Sequence, residues 1–116
     1  LDEELIGRFS DEEKEALLNA VAPHYLILKP SLIGGWTGAN KWVSLAKKYG
    51  IDWWATSALE SNLGLSAIAQ WCADKQVSIP QGLGTGQLFT NNIESPLYLD
   101  GSFLGYDPDK EWNFNF

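Results

Sequence analysis

Short apolar runs alternate with amphipathic helical patterns along this chain, and that alternation limits the possible folds most sharply. Ser10 followed by Glu13 forms a capping-box signature, and Ala16, Leu17, Ala20 and Val21 recur at helical spacing. A helix over 11–22 is predicted, ended by Pro23. His24 to Leu28 is an apolar run that reads as a buried strand, stopped by Lys29-Pro30. After a turn at Gly34-Gly35, Trp36, Ala39, Trp42, Val43, Ala46 and Tyr49 mark a second helix. Lys47 and Lys48 fall in its last turn, and Gly50 stands where a C′ glycine belongs. Residues 51–56 read as a second strand. Ser61 or Asn62 caps a third helix with a face of Leu65, Ile68, Ala69 and Cys72. Val77-Ser78-Ile79 reads as a third strand, and a hairpin turning at Asp100-Gly101 follows.

Strands separated by helices imply an α/β fold with a parallel sheet. Three strands alone leave two unpaired edges. A closed barrel removes edges but needs about 250 residues, and this chain has 116. The pattern therefore fits a small open sheet or a piece of a barrel, with no internal linker. The chain has no methionine and opens on Leu1-Asp2-Glu3-Glu4, so it is expected to be part of a larger protein.

Composition narrows the function classes. With 8 basic and 15 acidic residues the formal charge is −7, the wrong sign for a nucleic-acid partner held through its phosphates. No apolar run is long enough to span a bilayer. One cysteine, Cys72, excludes a disulfide framework and points to the cytoplasm.

In parallel α/β folds chemistry gathers at the C-terminal ends of strands. Those ends are Lys29, then Thr56, Ser57 and Glu60, then Gly82, Leu83, Gly84 and Thr85. Asp2, Glu3 and Glu4 take the same place if a strand precedes Leu1. Desolvation would lower the pKa of Lys29 and suit it to proton transfer, or its charge can face a π-system. A lysine snorkelling to solvent is the commoner reading of residue type alone. The acidic run suits a hard cation or is a solvated terminus. Glu60 is catalytic or accepts nearby backbone donors, the second being the more frequent use. The glycine-rich 82–86 stretch matches neither nucleotide fingerprint. His24 lacks catalytic partners, and Cys72 reads as a buried inert thiol. Six tryptophans allow a binding platform without catalysis, although Trp36, Trp42 and Trp71 fit helix faces and read as packing.

Four segments, LDEELIG, LILKPSLIGGW, ATSALESNLGLSAIAQW and IPQGLGTGQLFTNNI, together resemble the C-terminal part of the o-succinylbenzoate synthase family. That family belongs to the muconate-lactonizing subgroup of the enolase superfamily. The resemblance covers nearly the whole chain and rests on an acidic strand end, a KP strand end and an ES-x-LGL segment in that order. It implies the C-terminal portion of a (β/α)7β TIM-like barrel. Residues 1–116 would run from the end of strand 5 through strand 8 and the tail, without the capping domain and early strands.

The resemblance also implies roles. Asp2 falls on a Mg²⁺-ligand carboxylate and Lys29 on the active-site lysine of strand six. Thr56 and Ser57 fall on a segment that contacts the succinyl carboxylate of a small-molecule substrate, and Gly82 and Leu83 on backbone lining the same pocket. Some relatives carry serine where this chain has Thr56 and Ala58, which loosens those two contacts. The implied reaction is a Mg²⁺-dependent dehydration in menaquinone biosynthesis. A racemase or epimerase of the same superfamily is the alternative. The proton-abstracting KxK lysine and two metal carboxylates are not in this sequence, so the chain alone is expected to be inactive. It is expected to pair with the N-terminal remainder of the same protein or to form a homodimer.

Overall fold

Leu26 and Leu28 are fully buried in the first strand, β1 (Tyr25–Leu28), and Ala55 is fully buried in the second, β2 (Asp52–Ala55). The computed structural model describes residues 1–84 and 88–115. Thr85 and Gly86 of the glycine-rich stretch lie outside the described residues. β1 and β2 pair in parallel, with Tyr25 opposite Asp52 and Leu28 opposite Ala55. A parallel pair needs a crossover. Here α2 (Gly35–Tyr49) supplies it, as its apolar spacing predicts. The described residues fall into two compact units, Leu1–Thr56 with Ile79–Gln81, and Ser57–Ser78 with Gly82–Phe116.

In the first unit, α1 (Asp11–Val21) starts on the predicted capping box. The Glu13 N–H donates to Ser10 Oγ at 3.2 Å, and Glu13 Oε2 accepts from the N–H groups of Ser10 and Phe9, each at 3.1 Å. Those backbone donors hold the Glu13 carboxyl below the usual carboxylate range. The helix stops at Ala22, which is left-handed at φ 47°, just ahead of Pro23. α2 ends at Gly50, also left-handed at φ 66°.

Trp42 anchors the core beneath α2. It is fully buried, with Ala39, Leu45 and Ala46 beside it on the helix. Lys14 of α1 is also buried; its ammonium donates to the Phe9 carbonyl at 2.7 Å and stands 5.7 Å from the Trp42 ring centroid. A cation over an indole face is attracted by the ring quadrupole, which helps to offset the burial of that charge. Glu15 ties α1 to α2 by accepting from Lys48 at 3.0 Å and from the Tyr49 hydroxyl at 2.7 Å. Trp36, by contrast, is 43% exposed. It lies on the first turn of α2, ahead of the buried stripe that begins at Ala39.

The second unit contains α3 (Asn62–Asp74) and a hairpin of β3 (Leu97–Asp100) and β4 (Phe103–Tyr106). On α3 Leu65, Ser66, Ile68, Trp71 and Cys72 are buried, while Ala69 is only half-buried. Ser61 is the N-cap, but its side chain makes no capping bond. Asn92 Oδ1 takes the Asn62 N–H instead at 2.9 Å, and Asn62 Nδ2 donates to the Ile93 carbonyl at 2.6 Å. The hairpin pairs Asp100 with Phe103, so its two-residue turn is Gly101-Ser102, one residue beyond the predicted Asp100-Gly101. Gly101 has φ +60°, a region glycine enters without a Cβ penalty, and that sets the turn's place.

The third predicted strand is not formed: residues 77–79 belong to no strand. Gln76 is left-handed at φ 53°, and Pro80 lacks an N–H. The three residues between them are too short a run to build a ladder.

Gly38 has no room for a side chain, because a Cβ there would overlap the Ile33 carbonyl oxygen. That contact lets the first turn of α2 close on the loop leaving β1. Gly38→Ala is expected to destabilise the protein by about 2 kcal/mol, within the usual range for overpacking. Urea unfolding measures it, and an unchanged midpoint would contradict the close approach.

Candidate active site

The register of the parallel pair brings the predicted strand-end residues to one rim of the sheet. Leu28 lies opposite Ala55, so Lys29 and Thr56 leave their strands side by side. The Thr56 N–H donates to the Leu28 carbonyl at 2.9 Å. Leu1 lies along the other edge of β1. Its amine donates to the Tyr25 carbonyl at 2.9 Å and its carbonyl accepts from the Ile27 N–H at 2.8 Å. Bonds to residues 25 and 27 around Leu26 are those of a parallel neighbour. Asp2 therefore emerges next to Lys29, as a residue ending a preceding strand would.

The two side chains meet. Lys29 Nζ stands 2.7 Å from Asp2 Oδ1 and 3.6 Å from Glu3 Oε1. The lysine side chain keeps 17% of its exposure, against 78% for Glu3. Asp2 Oδ1 is buried, and the Lys29 ammonium is its charged neighbour.

The carboxylates decide the protonation of Lys29. Contact with Asp2, and more weakly with Glu3, raises its pKa above the usual lysine value, and the opposing effect of burial is smaller. The lowered pKa expected from desolvation is therefore wrong. Two acidic neighbours outweigh the partial loss of solvent, and Lys29 stays a cation across the neutral range.

Ser57, Glu60, Gly82 and Leu83 lie in the second unit, and His24 in the first. Ser57 is buried, and its N–H donates to the Gly82 carbonyl at 3.0 Å. Its Oγ is 3.5 Å from the same oxygen. Leu83 lines a small cavity of about 160 Å³ with Asn62, Leu65, Leu97 and Leu104. Glu60 folds back over α3, where a Cβ on Gly64 would come within 2.6 Å of its Oε2. His24 is exposed at the start of β1, and its carbonyl accepts from the Asp52 N–H.

Asp2 offers one hard oxygen donor of the kind Mg²⁺ takes. No group of three or more metal-ligating side chains occurs among the described residues.

Gln81 is a polar contact that the sequence reading missed. Its Oε1 accepts from the Ala55 N–H at 2.6 Å and its Nε2 donates to the Ile79 carbonyl at 2.7 Å. Nothing in periodicity or residue type marks one glutamine out of a loop, so no sequence signal identifies it.

No family model matches the chain. An o-succinylbenzoate synthase of Desulfotalea psychrophila (strain LSv54) is 60% identical to it over 105 residues. This chain resembles part of an o-succinylbenzoate synthase. The match covers 90% of the chain and 28% of the synthase, so the chain spans less than a third of that relative. The crystal structure of MenC from the same organism superposes with a TM-score of 0.86 at 60% identity, again over 90% of this chain and 29% of that one. The L-Ala-D/L-Glu epimerase of Bacillus subtilis, solved with substrate bound, superposes at 0.73 with 21% identity and the same coverage. At that identity the epimerase bears on the fold alone. The expected fold, a portion of an enolase-superfamily α/β barrel, agrees with both superpositions. No helix among the described residues is long and apolar enough to cross a membrane.

Cys72 is buried on α3, and burial pushes its thiol up to about 11 from an ordinary 9.0. The folded state thus favours the neutral thiol. That stabilisation is complete below pH 9 and is lost as the pH climbs from 9 towards 11. At pH 8 Cys72 is expected to react slowly with a disulfide reagent in buffer and rapidly in urea. Equal rates would refute the burial.

Proposed function

We propose that this chain is the C-terminal barrel segment of an enzyme of the o-succinylbenzoate synthase type. The observation that carries this reading is the Asp2–Lys29 pair, 2.7 Å apart at one rim of a parallel sheet, in a chain 60% identical to such a synthase. The segment runs from the end of barrel strand 5 to strand 8 and the tail. The capping domain and early strands come from the N-terminal remainder of the same protein. The parallel-neighbour hydrogen bonds of Leu1 support a preceding strand beside β1.

The reaction on this reading is the loss of water from 2-succinyl-6-hydroxy-2,4-cyclohexadiene-1-carboxylate to give 2-succinylbenzoate, a step of menaquinone biosynthesis. A base removes the proton α to the ring carboxylate, the ring hydroxyl leaves as water, and the ring becomes aromatic. The base is a lysine outside this chain. Mg²⁺, when bound, supplies positive charge at the ring carboxylate. Asp2 is one of the residues that hold it.

Lys29 faces the ring as a fixed cation. Its raised pKa suits that task better than proton abstraction, since it keeps its charge at neutral pH. On this reading Thr56 and Ser57 are contacts of the succinyl carboxylate, and Gly82 and Leu83 meet the substrate through their backbone. The synthase is favoured over an epimerase by 60% identity against 21%. A tryptophan platform without catalysis finds little support, since Trp42 and Trp71 are buried and Trp53, Trp54 and Trp112 are half-buried.

In the intact protein, Lys29→Met is expected to lower kcat on the order of 10²-fold, the usual cost of removing a charge aimed at a transition state. Turnover is followed by the appearance of the aromatic product, and unchanged turnover would sink the proposal. The isolated 116 residues are expected to show no synthase activity and no saturable Mg²⁺ binding at millimolar concentration by calorimetry. The intact protein is expected to bind the ion, and Asp2→Asn is expected to weaken that binding.

A further inference from the structure

Hydrogen-bond direction alternates along a strand. On β2 the N–H groups of Asp52 and Thr56 point to β1, bonding the carbonyls of His24 and Leu28. The N–H of Ala55 therefore points away from β1. Residues 77–79 belong to no strand and offer no ladder for it. The Gln81 side chain takes that N–H at 2.6 Å and anchors itself through Nε2 on the Ile79 carbonyl at 2.7 Å. The two contacts need opposite ends of the amide, so they fix its orientation. Ala55 is fully buried, and water cannot replace the lost acceptor.

We infer that Gln81 is a positioning residue for Thr56. It holds the backbone of the preceding residue from one side while β1 holds Thr56 from the other. Thr56 is thereby fixed between two hydrogen bonds, one to the Leu28 carbonyl and one through Ala55 to Gln81. A side-chain amide makes this clamp, so a point mutation can release it without removing a strand. The inference rests on the reading of Thr56 as a contact of the substrate carboxylate.

The test uses the intact protein with Gln81→Leu, Gln81→Glu and Thr56→Ala. Leucine removes both contacts at similar volume. Glutamate keeps an acceptor for Ala55 and loses the donor to Ile79. Gln81→Leu is expected to raise KM about tenfold with kcat changed less than twofold, and to speed amide exchange at Ala55. Gln81→Glu is expected to recover most of the KM and of the exchange protection. If Gln81→Leu does not fold, Gln81→Glu decides alone: near-native KM with a protected Ala55 amide supports the clamp, and a fully exchanging amide overturns it. A folded Gln81→Leu with native KM overturns the positioning role, provided Thr56→Ala raises KM. If Thr56→Ala leaves KM unchanged, the substrate reading of Thr56 has failed, and the positioning role built on it falls too. Exchange at Ala55 then reports on the hydrogen bond alone, and a native rate in folded Gln81→Leu overturns that as well.

Discussion

The parallel pairing of β1 with β2 is the constraint on which the first unit depends. It aligns Leu28 with Ala55 and so releases Lys29 and Thr56 at the same rim. It also requires a crossover, which brings α2 and Trp42 over the strands, and Trp42 in turn draws Lys14 of α1 inward. A slip of one residue would turn every side chain of a strand to the opposite face. Buried Leu26, Leu28 and Ala55 would then be exposed, so the core fixes the register and the register fixes the rim.

At that rim, charge is arranged in a compact form. Lys29 stands between one carboxylate with a buried oxygen and one that is largely in water. Asp2 dominates because the partner nearer to the protein interior is less screened. The pair suits a site in which a cation must persist at neutral pH. It also gives Asp2 two demands on one carboxylate, since the oxygen that balances Lys29 belongs to the group proposed to face Mg²⁺.

Much of this was legible in the residues because the signals were local. The Ser10–Glu13 box, the Gly50 stop and the spacing from Ala39 to Ala46 each specify their structure within a few positions, and each formed as read. The ends of the first two strands were legible because an apolar run stops at each, the first at Lys29 ahead of Pro30 and the second at Thr56. What failed depended on partners distant in sequence. Val77 to Ile79 looked like a strand from composition, but a strand needs a ladder, and Pro80 and Gln76 deny it one. The Lys29 pKa went the wrong way because burial was judged without Asp2, 27 residues earlier. Asn92 displaced Ser61 as the capping group of α3 for the same kind of reason: its amide arrives from 30 positions downstream.

The Gln81 amide has a consequence for association as well. An exposed strand edge is a template on which another chain can add, and proteins blunt such edges with charges, prolines or covering loops. Here a single side chain occupies a backbone donor on the outer side of β2, and Pro80 next to it has no N–H to offer an incoming strand. An incoming strand would have to displace Gln81 before it could pair with the Ala55 N–H.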